Sequence, residues 1–320
     1  MKVIAITPDG KTDSVGQLIV EGLYENNVEV IATDAGNSVR QTYSDDEVVE
    51  HSKTADYIFV IWGKKRSNNY PKYYLLNKIN QPEKTLYIDG SEWTATGYPN
   101  INQVEKSLTD TSVLRGNPWF NEEMLRYCRW YFKRECYQQD ADMGIIPLMI
   151  GTRLNMIDTN FINKDHDVFC SYGHTNTGLR RQTQSECYKL QSDGRKVMIE
   201  SSLPFDVYIN CIKRSHIALS AWGAGNSCRR MWEILSKGTC CFAQKMEILL
   251  PNKYTDGFNI VEYSTMDEFN DKIRYYINNK DKALEIGIKG QEHTFKYHSS
   301  KKRVEYIFNV LKGANWQTAL

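Results

Sequence analysis

The chain has 320 residues, a length that suits about two domains. Its 40 Lys and Arg nearly balance 39 Asp and Glu, which excludes a polyelectrolyte held to its partner by bulk charge. Hydrophobic residues make up 41%, as in an ordinary globular protein, and no run approaches the ~18 apolar residues of a membrane span.

A first strand is predicted over residues 2–6. It breaks at Pro8-Asp9-Gly10, too soon for an export leader, so a cytoplasmic protein is expected. Residues 14–24 carry Val15, Leu18, Ile19 and Leu23 at helical spacing, and residues 28–31 follow as a second strand. Residues 57–62 are apolar throughout, which predicts a central parallel strand. No acidic residue lies between Asp56 and Glu83, where Lys64, Lys65, Arg66, Lys72 and Lys78 alternate with Trp62, Tyr70, Tyr73 and Tyr74. A fourth strand is predicted over residues 85–88, ending at Asp89-Gly90. Residues 121–136 read as an amphipathic helix with Glu122 and Glu123 in its first turn.

The alternation of strand and helix restarts after about residue 150. Strands are predicted over residues 167–171, 196–200, 215–220 and 239–243. Helices are predicted over residues 178–190, 205–214, 267–278, 281–297 and 302–312. This predicts an α/β protein of two Rossmann-like domains facing across a cleft. The expected division is 1–147 for a first domain and 148–300 for a second, with 301–320 a helix returning to the first. Residues 1–145 hold 16 basic and 21 acidic residues, the remainder 24 basic and 18 acidic, so the second half suits an anionic ligand. The eight cysteines form no C-x-x-C pair and several lie in apolar patterns, so reduced, mostly buried thiols are expected. The six histidines lack metal-ligand spacing, and Asp140-Ala141-Asp142 falls in an expected linker, so no metal site is expected.

The segment Ala221-Trp222-Gly223-Ala224-Gly225-Asn226-Ser227-Cys228-Arg229-Arg230-Met231-Trp232-Glu233 carries the strongest signal. A glycine-rich turn runs from an apolar strand into a helix with arginines in its first turn. Free N–H groups and the positive dipole end favour an anion there, and arginine grips phosphate with two donors. The turn Gly223-x-Gly225-Asn226-Ser227, then Arg230-x-x-Glu233, then Lys237-Gly238-Thr239, resembles the donor segment of GT-B glycosyltransferases. Tyr254-Thr255-Asp256-Gly257-Phe258-Asn259, Val261-Glu262-Tyr263 and the tail from Tyr297 to Tyr306 continue the likeness in order. It is similar to the group-1-like, spore-maturation-type branch of bacteria and phages over about residues 200–310, and elsewhere in architecture.

The resemblance implies a transferase that moves a hexosyl or pentosyl group from a UDP- or GDP-linked sugar, with a divalent metal optional. It makes the first domain the acceptor domain and the second the donor domain. It implies that Glu233 holds the nucleotide ribose and that Arg230 faces the diphosphate. Gly223, Gly225 and Asn226 would bring backbone close to that diphosphate. The turn from His174 to Arg181 would add basic ligands, with Arg180 or Arg181 in that role. Many retaining members carry a glutamate eight residues before the ribose ligand. Gly225 stands there instead, which points toward inversion.

An inverting transfer needs a base for the acceptor hydroxyl. Loops at the strand ends of the first half offer Asp89 first, then Glu92 and Asp9, with Asp34 also in place. Lys64, Lys65, Arg66 and Tyr70 form the expected acceptor patch. Basic residues among aromatics suit a nucleic-acid backbone with unstacked bases, and they suit sugars as well. The acceptor is therefore a hydroxymethylated pyrimidine in phage-type DNA, which must be flipped from the stack, or else a surface or protein glycan. A nicotinamide-dependent oxidoreductase is disfavoured, because Thr7-Pro8-Asp9-Gly10-Lys11-Thr12 lacks G-x-G-x-x-G. A non-catalytic two-lobed binding protein is the remaining class.

Overall fold

The structure, a computed structural model, describes residues 1–8, 14–34, 38–61, 71–92, 120–158, 160, 162–173, 178–223 and 225–320. The first lobe contains β1 (Lys2–Ile6), α1 (Ser14–Glu25), β2 (Glu29–Ala32), α2 (Asp45–Ser52), β3 (Tyr57–Ile61), α3 (Tyr73–Ile79), β4 (Thr85–Asp89), β5 (Trp130–Lys133), α4 (Gln138–Asp142) and β6 (Ile146–Pro147). Its sheet runs β2-β1-β3-β4-β5-β6, parallel throughout. β4 is buried at every position, as a parallel strand covered on both faces must be.

The second lobe contains β7 (His166–Cys170), α5 (Gly178–Ser192), β8 (Val197–Ile199), α6 (Phe205–Lys213), β9 (Ser215–Ser220), α7 (Arg229–Leu235), β10 (Cys240–Gln244), β11 (Val261–Tyr263), α8 (Met266–Asn278) and α9 (Lys280–Tyr297). Its sheet is also parallel, in the order β11-β10-β9-β7-β8. Strand order reverses between β7 and β9, so the loops leaving these two strands diverge and open a crevice at their carboxyl ends. The chain then returns through α10 (Ser300–Leu311) to pack on α1.

Two expectations are corrected. Residues 121–136 were expected as one helix, but only Glu122–Arg126 forms a short 3-10 turn and Trp130–Lys133 is a strand. Trp130, Tyr131 and Phe132 are consecutive aromatics, which fit a pleated surface better than a helix. They register against Leu86, Tyr87 and Ile88 of β4. Residues 140–142, expected as linker, fall in α4, where Asp140 accepts the Tyr137 N–H at 2.8 Å.

The lobes share one hydrophobic core, which gathers Leu148, Met149 and Ile150 of the connection with Trp232 of α7 and Tyr306 of α10. Beside it the two crossing chains pair. Thr152 N–H donates to His298 O at 3.0 Å, and Ser300 N–H donates to Thr152 O at 2.7 Å. Gly151 takes φ +97° here, and a Cβ on it would stand 2.5 Å from His298 O. Among the described residues no helix is long and apolar enough to cross a membrane.

Candidate active site

The crevice of the second lobe is built on an aromatic floor. Tyr172 lies two residues past β7 and is almost fully buried. Two guanidinium groups face its ring, Arg230 of α7 at 5.0 Å and Arg180 of α5 at 5.5 Å from the centroid. The same two groups flank the Cys228 thiol, with Arg180 Nη2 at 3.6 Å and Arg230 Nη1 at 4.0 Å from Sγ. Arg180 also donates to Ala221 O at 3.3 Å, which ties α5 to the end of β9. A Cβ on Gly223 would stand 3.0 Å from Arg180 Nη2, so glycine lets the turn close over the arginine. Among the described residues Arg230 makes no ion pair, and its Nε is buried without a partner. Two cations gathered on a π face suit a polyanionic ligand.

Glu233 lies one turn beyond Arg230. Its Oε1 accepts from Arg229 Nε at 2.9 Å, and its side chain is 14% exposed. It lines an open pocket between the lobes, with Gln17 and Leu18 of α1, Gly151 and Arg153 of the connection, and Phe205 of α6. Phe205 is 49% exposed at the rim and offers a flat apolar face. Tyr208 packs behind; burial, with the Glu233 carboxylate beside it, pushes its phenol well above the usual value.

The backbone of the turn is not free. Asn226 N–H and Ser227 N–H both donate to the Glu135 carboxylate, at 2.8 and 3.0 Å. Gly223 N–H donates to Gly225 O at 3.1 Å. Asn226 is 3% exposed, with Oδ1 accepting Glu247 N–H at 2.8 Å and Nδ2 donating to the Tyr137 hydroxyl at 2.9 Å. The Asn226 and Ser227 amides are thus taken by a first-lobe side chain.

Among first-lobe carboxylates, Asp89 is 0% exposed. It accepts from Lys133 Nζ at 3.0 Å, Tyr131 OH at 2.7 Å and Ser91 N–H at 2.9 Å. Lys133 and Tyr131 come from β5, the neighbouring strand, and Ser91 from the turn after β4, so the carboxylate is enclosed. Glu92 is 35% exposed, pairs with Arg134 at 3.2 Å, and its carbonyl oxygen would lie 3.0 Å from a Cβ on Gly225. It stands at the cleft, across from the donor turn. Lys72 of the basic window is buried and bonded to the partly exposed Asp34 at 2.5 Å, which draws its charge away from the surface. Arg181 is exposed on α5. Asp9, His174, Lys64, Lys65, Arg66 and Tyr70 lie outside the described residues.

Tyr172, Phe205, Arg229, Arg134 and Glu135 were not singled out from the sequence. Tyr172 carried a usable signal, an aromatic immediately after a strand that leads into a basic turn. Glu135 carried none, because its position was read as helix.

Residues 168–309, from β7 into α10, match the family described as glycosyl transferase-like. No curated protein matches the chain. Similar solved structures include an alpha-glucosyltransferase in complex with UDP-glucose and DNA containing an abasic site. It is 10% identical, with 98% of this chain and 99% of that chain covered at a TM-score of 0.64. Alr3699/HepE of Anabaena, in complex with UDP, is 10% identical over 98% of this chain and 100% of its own, at 0.56. A glycosyltransferase from Rickettsia africae ESF-5 is 10% identical over 97% of both chains, at 0.59. At such identities these structures speak for the fold, while the family pattern covers the lobe that holds the arginines, the turn and Glu233. The chain thus has the GT-B fold of these structures, and its second lobe carries the glycosyl transferase-like pattern.

Proposed function

We propose that the protein transfers a sugar from a UDP-linked donor to a hydroxymethylated pyrimidine in DNA. The observation that carries the donor half is the convergence of Arg180 and Arg230 on Tyr172 at the strand-order reversal, one helical turn from Glu233. In this reading the diphosphate lies against the two guanidinium groups, which take up the charge that builds on the leaving group. The ribose hydroxyls reach Glu233, and the base packs on Phe205. Glu92 takes the acceptor proton from across the cleft, a role its exposure permits and that of Asp89 does not. His174 is proposed as a further donor ligand and Asp9 as a further candidate base.

The acceptor half rests on the acid-free window after β3, whose Lys64, Lys65, Arg66 and Tyr70 would track a phosphate backbone and stack a base. The solved alpha-glucosyltransferase that holds DNA supports it. The excess of acidic residues in the first half favours the second reading, a glycan acceptor.

Donor binding is tested with UDP by calorimetry. Arg230→Ala removes a charge-assisted contact of about 1.5–3 kcal/mol and should raise Kd for UDP ~10- to 100-fold. Arg230→Lys should restore little, since a point charge replaces a planar fork. The acceptor is tested with labelled UDP-glucose on DNA carrying hydroxymethylcytosine and on unmodified DNA. Label in the modified DNA alone is the expected result; label that enters only glycan acceptors replaces the DNA reading with the second one.

A further inference from the structure

We propose that Glu135, which belongs to the first lobe, is the positioning residue of the donor turn in the second. The inference rests on the donor reading above. Beyond Lys133 the chain leaves the sheet, and residues 134–137 run against the other lobe. Glu135 Oε2 accepts Asn226 N–H at 2.8 Å and Oε1 accepts Ser227 N–H at 3.0 Å. Two successive amides aimed one way need an acceptor with two oxygens, and a carboxylate supplies both. Around this pair Arg134 bonds Ser227 O, Asn226 Nδ2 bonds the Tyr137 hydroxyl, and Leu249 N–H bonds Cys136 O at 2.8 Å. Glu135 and Ser227 are 0% exposed and Asn226 is 3% exposed, so the contact is dry.

Gly225 fits the same account. A Cβ there would stand 2.7 Å from both Cδ and Oε1 of Glu135. The residue is glycine because the carboxylate of the other lobe fills the space. The turn therefore has two faces. One is gripped by Glu135. The other carries Gly223 and Cys228 against Arg180 and leads into Arg230. Fixing the first face sets the second, so donor affinity depends on a side chain that the donor does not touch.

Three variants test this, Glu135→Gln, Gly225→Ala and the double variant Glu135→Ala with Gly225→Ala. UDP affinity is measured by calorimetry, and exchange of the Asn226 and Ser227 amides is followed by NMR in the nucleotide-free protein. Glu135→Gln turns a donor toward one amide and should raise Kd for UDP about tenfold, with faster exchange at both amides. Gly225→Ala should weaken UDP similarly in the wild-type background and add much less when position 135 is already Ala, where only the Glu92 carbonyl oxygen still stands close, at 3.0 Å. A lower melting temperature with unchanged Kd makes the contact merely structural and overturns the proposal. Tighter UDP binding in Glu135→Gln makes the carboxylate a competitor of the donor and also overturns it. Wild-type protein that binds neither UDP nor GDP removes the donor reading itself, whereas wild-type binding unchanged in all variants removes this inference alone.

Discussion

Asp89 and Glu92 stand three residues apart and answer to different physics. Asp89 and Lys133 are both fully buried and 3.0 Å apart, and Lys133 Nζ also donates to Ser91 Oγ at 2.8 Å. Removing one member of such a pair strands the other charge in a dry interior, at about 3–5 kcal/mol. Asp89→Ala should therefore lower stability by about that amount in a denaturant titration, and activity should fall only with the folded fraction. Glu92 pairs with Arg134 in a partly exposed setting, where such a bridge contributes about 0–1 kcal/mol. Glu92→Gln should leave the denaturation midpoint nearly unchanged and lower kcat about 10²- to 10⁴-fold, with KM for the donor little altered. Unchanged kcat would move the base to another residue. Asp89 was legible as a carboxylate ending a strand. Its neutralising partner was not, because Lys133 becomes its neighbour only through the register of β4 and β5.

β5 marks where the sequence could be read and where it could not. The strands of the second lobe, the glycine turn and the Arg230 to Glu233 spacing were legible because each signal is local: an apolar run, a turn residue, one helical turn. β5 is short, its aromatic residues alternate with nothing, and Glu122 and Glu123 ahead of it imitate a helix start. The cost of that misreading was Glu135, whose role depends wholly on the lobe it meets. Its protonation gives a second handle on the contact. Burial pushes its carboxyl up to about 7, against the Arg134 guanidinium and the two amides, and the Glu92 carboxylate adds to the rise. Tyr137 and Glu247 are the further ionisable neighbours. An acid raised above its unfolded value holds its proton more tightly when folded. Its contribution is full below the ordinary 4.5 and is lost as pH rises through about 7. Glu135→Gln cannot titrate. The melting temperature of wild type minus that of Glu135→Gln should thus shrink between pH 5 and pH 8, and a constant difference would show that the carboxyl does not ionise in this window.

The two lobes are strapped together by the last helix rather than joined by one connection. α10 follows the second lobe in sequence yet lies on α1 of the first, where Asn26 Nδ2 donates to Lys301 O at 3.0 Å and Ser300 Oγ bonds Glu25. Arg303 of the same helix is fully buried; it donates to His298 Nδ1 and lies over the Trp232 ring, 5.7 Å from its centroid. Burial lowers its guanidinium to about 10, a sign of how dry this junction is. A strap this close leaves no room on the facing helix. A Cβ at Gly22, in the middle of α1, would stand 2.2 Å from Ser300 O and 2.7 Å from Val304 Cγ2. Helix propensity alone favours alanine over glycine by about 1 kcal/mol. The clash opposes it, because one of its atoms is backbone and cannot swing aside. Gly22→Ala should therefore destabilise the protein in spite of the gain in propensity. Because the shared core joins the lobes through α10 and Trp232, both should still melt in one calorimetric transition, at a lower temperature. A raised melting temperature would mean that α10 does not sit on α1 at this distance. Two separate transitions would mean that the lobes fold as independent units.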